Sequence, residues 1–133
     1  MQTHFNHAKF KIMETYNEIF RDRTKKFALS IVNVLSEIKF SDALTIMRKQ
    51  AIRSATSVAA NYRATCRARS TREKYSKICI VVEESDEIQF WLEMLHEAKF
   101  LPKENFTKLH EESTELLKVM ASFKKNLSNY LKT

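Results

Sequence analysis

The chain has 133 residues, no glycine and a single proline, enough for one domain with a single core but poorly supplied for tight turns. Without glycine, a phosphate-cradling P-loop and a glycine-fingerprint dinucleotide site are excluded, because both need backbone that a side chain would obstruct. The net charge of +7 is concentrated: Arg48 to Lys77 carries nine basic groups against Glu73 alone, whereas the other 103 residues hold fourteen basic and fifteen acidic groups.

Two isolated cysteines, Cys66 and Cys79, form neither a metal pair nor a disulfide framework, which points to a reducing compartment. The N-terminus lacks an apolar leader and no run approaches a membrane span, so the expected location is the cytoplasm.

Residues 1–16 show weak periodicity and read as a loose arm preceding a domain over 17–133. From Phe20 the apolar spacing becomes regular through Phe27, Ile31, Val34 and Ile38, which predicts a first helix over 17–38. Ser41 is a plausible N-cap for a second helix over 42–68. At about 100° per residue, Leu44, Met47, Ala51, Ala55, Val58, Tyr62 and Cys66 form its core stripe. Lys49, Arg53, Thr56, Arg63 and Arg67 fall on the face roughly opposite, and Gln50, Ser54, Ser57 and Asn61 form a polar row between the two.

Ser70 and Glu73 make a capping box that opens a third helix over 71–99, with Glu73 expected to reach back to the Ser70 amide. The Ile78-Cys79-Ile80-Val81-Val82 run could pass for a strand. However, Ile78, Val81, Ser85, Ile88, Leu92 and Leu95 continue a three-four repeat through it, so it is read as helix. Ile80 and Trp91 lie well away from that seam, which gives this helix a second apolar face and makes them candidate contacts in a homo-oligomer. After Pro102 a fourth helix carries Phe106, Leu109, Ser113, Leu116, Met120, Phe123, Leu127 and Tyr130 at helical spacing. The expected fold is all-α, an antiparallel up-down four-helix bundle.

Glu93-Met94-Leu95-His96 matches half of a di-iron bundle motif, but no second Glu-x-x-His occurs, so no metal is expected. Acids crowd the third helix from Glu83 to Glu97 without any sign of a cleft, and Cys66 has no histidine close in sequence. A non-enzymatic chain without a cofactor follows. The strongest functional signal is the basic set Lys49, Arg53, Arg63, Arg67, Arg69, Arg72, Lys74 and Lys77, in a segment where arginine outnumbers lysine six to three and offers forked donors to phosphate. The bland alternative is a solvated face, or one whose arginines pair with the acids of a neighbour. The polar row reads more readily as a structural seam than as a ligand-reading face.

The run Gln50-Ala51-Ile52-Arg53-Ser54 through Ser57, Ala60, Asn61, Arg69 and Ser70, followed by Glu84, Glu87, Trp91 and Leu92, resembles a family of bacterial four-helix bundle proteins. These are encoded by intervening sequences within large-subunit ribosomal RNA genes. The resemblance covers about residues 17–128, with one departure: the glutamate and alanine usual after the Asn-aromatic pair are Ala64 and Thr65 here. It implies a ring-shaped homopentamer with a basic surface, similar in shape to the nucleic-acid-binding accessory protein of diversity-generating retroelements. The resulting expectation is a nucleic-acid-binding oligomer, RNA ahead of DNA, contacting backbone without reading sequence. The alternative is an adaptor oligomer whose arginines bridge subunits or a protein partner. No exposed-looking aromatics accompany the arginines, which argues against a base-stacking platform for single strands.

Overall fold

The computed structural model describes residues 2–133, with side chains described for Ala8 and from Lys11 onward. Four helices follow one another: α1 Gln2–Ser36, α2 Asp42–Cys66, α3 Thr71–Glu97 and α4 Lys103–Lys132. Links of four or five residues turn each helix back on its predecessor. α3 is packed between α2 and α4, while α1 lies mainly on α2 and only lightly on α4. The result is an all-α four-helix bundle.

Local chemistry sets the helix ends. Ser41 is extended (φ −157°, ψ 159°) and its Oγ accepts from the Leu44 amide at 3.2 Å; Ser70 does the same for Glu73 at 3.1 Å. The Glu73 carboxylate reaches one residue further back than expected and accepts from the Arg69 amide at 3.1 Å. α3 stops at Glu97 rather than Lys99, because Lys99 turns left-handed (φ 67°) and the Phe100 amide closes onto the Leu95 carbonyl at 2.9 Å. A lysine in that conformation costs about 1 kcal/mol, which the burial of Leu101 just beyond helps to offset. α2 likewise ends at Cys66, two residues short of expectation.

α1 departs most from its expected bounds. Its backbone is helical from Gln2, although the apolar periodicity begins only at Phe20. Side chains 11–16 are exposed, so weak periodicity here reports the lack of a buried face, not the lack of a helix. Further along, the fully buried position is Leu35, with Val34 and Ile38 only half-buried.

The α3 seam is buried at all six expected positions, from Ile78 to Leu95. Phe20, Tyr62 and Phe123 join α1, α2 and α4 through ring contacts of 5.6–6.5 Å. Ser85 of α3 and Ser113 of α4 are buried with no hydrogen-bond partner for either Oγ among the described residues. A buried hydroxyl without a partner loses its hydration and gains nothing in return. Ser85→Ala and Ser113→Ala should therefore leave thermal stability unchanged or raise it by up to about 1 kcal/mol. A fall of that size in thermal denaturation would mean the hydroxyl has a partner after all.

Candidate nucleic-acid interface

The basic residues do not form one stripe. Arg53 is already engaged: its Nη2 donates to Glu87 Oε1 at 2.6 Å and its Nη1 to Glu84 Oε1 at 3.2 Å. It also donates through Nε to Gln50 Oε1 at 3.1 Å and through Nη2 to Ser54 Oγ at 3.3 Å. Trp91 Nε1 donates to the same Glu87 oxygen at 3.3 Å. Arg53 thus belongs to a clasp between α2 and α3, its charge matched by two carboxylates, and it leaves the candidate interface. Its family-pattern neighbours Gln50, Ser54, Glu84, Glu87 and Trp91 are the partners in that clasp.

The polar row takes part in this seam. Ser54 is fully buried, Gln50, Ser57 and Asn61 are half-buried, and Asn61 Nδ2 donates to the Ser57 carbonyl at 2.9 Å and to its Oγ at 3.0 Å. These groups satisfy one another within α2 or meet Arg53.

Ten residues beyond Arg53, the helical turn carries Arg63 about 80° around α2. There Arg63 and Arg67 face α1, where Arg21 and Lys25 meet them across a surface groove of about 650 Å³. Ala28, Leu29, Val32, Ala59 and Ala60 form its floor, and Glu18 and Asp22 complete the α1 side. Asp22 is engaged by Lys26 at 2.8 Å; among the described residues the four groove cations make no ion pair. Arg21 and Lys25 were missed in the sequence although Arg21 to Lys26 carries four basic groups against Asp22 alone. That short basic run, and the i, i+4 spacing of the two residues, were the available signs.

Arg69 and Arg72 are exposed at the α2–α3 link. Lys74 and Lys77 are half-buried, and Lys74 borders a second cavity of about 260 Å³ beside Tyr62 and Cys66. Lys49 is exposed about 21 Å along α2 from Arg63. The cations closing α2 suit its negative end, but Arg72 and Lys74 stand at the positive end of α3, where helix stability would favour acids. Helix electrostatics therefore do not account for them.

The other nominations have local explanations. Burial pushes the Cys66 thiol up, leaving it protonated at neutral pH and poorly nucleophilic. His96 Nδ1 lies 3.1 Å from the Leu101 carbonyl, and its ring stacks on Phe106 at 4.3 Å. Among the described residues no three metal-ligating side chains gather, and no helix is long and apolar enough to cross a membrane. Ile80 and Trp91 are half-buried, and Trp91 meets the exposed Phe90 edge-to-face at 4.9 Å.

The Arg53 clasp leaves a signature in pH. Hydrogen bonds from Arg53 hold the Glu87 carboxyl below its ordinary value, so the clasp is intact at neutral pH and is lost as the pH falls below about 4.5. Both groups are partly exposed, which keeps the contribution small. Arg53→Met should lower Tm by about 2–4 °C at pH 7 and make the decline from pH 7 to pH 3 shallower than in the parent. Parallel Tm profiles for parent and variant would contradict this.

A profile of the 23S rRNA-intervening sequence protein family matches residues 17–122. The chain is also similar to a crystal structure of a protein of unknown function from the S23 ribosomal protein family of Bacteroides thetaiotaomicron VPI-5482. That likeness has a TM-score of 0.74 and 30% sequence identity, covering 82% of this chain and 97% of the other. No curated protein matches. With its Gln-x-x-Arg-Ser seam answered by Glu84, Glu87 and Trp91 on the facing helix, and the family profile matched over most of its length, the chain belongs to the 23S rRNA-intervening sequence protein family.

Proposed function

We propose that this protein is a non-enzymatic, oligomeric nucleic-acid-binding bundle that contacts phosphates without reading sequence. RNA is placed ahead of DNA because of the family's tie to ribosomal RNA genes. The observation that carries the reading is the set of four cations, Arg21, Lys25, Arg63 and Arg67, without an ion-pair partner among the described residues and gathered around one surface groove, extended by Arg69 and Arg72 at the adjoining link. Arginine and lysine at a surface attract polyanions by releasing condensed counterions, so affinity falls steeply with salt. Arg63→Ala with Arg67→Ala should weaken binding to all sequences alike and flatten the salt slope by roughly two contacts' worth. Equal binding by parent and double variant in a salt series of anisotropy titrations would refute the assignment.

The second reading is an adaptor in which these cations bridge subunits or a protein partner. It is favoured by Glu83, Asp86 and Glu97 of α3, which are exposed and without an ion-pair partner among the described residues. Under this reading the same double variant shifts assembly mass and leaves nucleic-acid binding unchanged.

Assembly as a homo-oligomer, five-fold by family resemblance, is part of the proposal. Phe90 is 51% and Met94 38% exposed beside Trp91, an apolar area on α3 that a monomer would leave in water. Trp91→Ala should lower the sedimentation mass at micromolar concentration more than Tyr130→Ala does. A parent mass near 15.7 kDa would remove assembly from the proposal.

A further inference from the structure

Phosphate contact accounts for Arg21, Lys25, Arg63 and Arg67 along the α1–α2 groove, where Glu18 and Asp22 also stand, but not for the aliphatic residues between them. Leu29 is 51% exposed, and Val32, Ala59 and Ala60 continue an aliphatic strip between the cations of the two helices. A duplex keeps its bases stacked inside and presents phosphate and sugar, so it would cover this strip without offering it an apolar surface. An unpaired strand can turn base faces to the floor while its phosphates reach cations on either side. The dimensions agree. From Thr56 to Arg67 the groove runs about 17 Å along α2, the length of a few nucleotides, between neighbouring helices whose axes pack about 8–10 Å apart. The small side chains Ala28, Ala59 and Ala60 leave room for the bases without supplying an aromatic ring on which to stack them.

We infer that the groove between α1 and α2 takes an unpaired segment of nucleic acid, with bases on the Leu29–Ala60 floor and phosphates between Arg21–Lys25 and Arg63–Arg67. This rests on the nucleic-acid reading above and adds the strandedness of the ligand. It also departs from the expectation drawn from missing aromatics, since it rests on aliphatic contact with the bases in place of ring stacking.

The test titrates the full chain at low salt with a labelled 20-nucleotide mixed-sequence RNA, alone and fully paired with its complement. Leu29→Glu places a carboxylate on the floor, and Ser122→Glu adds the same charge at an exposed position on α4. Circular dichroism checks that both fold, and sedimentation follows their mass. The single strand should bind at least tenfold more tightly than the duplex. Leu29→Glu should lower single-strand affinity at least tenfold, against less than twofold for Ser122→Glu. Equal or tighter duplex binding, or equal effects of the two variants, overturns the inference while phosphate contact stands. If the parent binds neither probe, the nucleic-acid reading falls and this one with it. A change of mass in Leu29→Glu without a change in single-strand affinity assigns the groove to a protein seam and overturns it as well.

Discussion

The buried stripe of α2, Leu44, Ala51, Ala55, Val58 and Tyr62, decides which way the helix faces. With that stripe in the core, Arg53 meets Glu84 and Glu87 of α3 at 3.2 and 2.6 Å, and the helical turn carries Arg63 and Arg67 toward α1. The Arg53 clasp is partly exposed and contributes little energy, so it follows this orientation and does not set it. The groove with Arg21 and Lys25 depends on the same burial.

α3 is buried on its seam from Ile78 to Leu95 and half-buried on a second face at Ile80 and Trp91, because it lies between α2 and α4. α1 lies mainly on α2 and only lightly on α4, and along the groove it keeps Leu29 and Val32 within reach of solvent. The same asymmetry that makes α3 the centre of the bundle leaves the α1–α2 side as an open groove with an apolar floor.

A chain without glycine also has to turn. Lys99 adopts the left-handed conformation that glycine would take more cheaply, and the α3–α4 corner is held by Leu101 inside the core and His96 stacked on Phe106. Tertiary contacts thus compensate for a local cost that the sequence alone would advise against.

Four helices, their order, the Ser41 and Ser70 caps and the α3 seam were legible in the sequence, because helical periodicity and capping are local and repeat every three or four residues. The concentration of charge between Arg48 and Lys77 was equally plain. The sequence could not show that this charge divides, with Arg53 neutralised at one helix interface and Arg63 and Arg67 left open at another. Both arrangements satisfy the same spacing on α2, and the difference is made by carboxylates 31 and 34 residues away. Nor could it show that Arg21, Lys25 and Leu29 join the site, since nothing in α1 alone says which helix it will lie against. Those were decided by packing, which brings together side chains that no local rule connects.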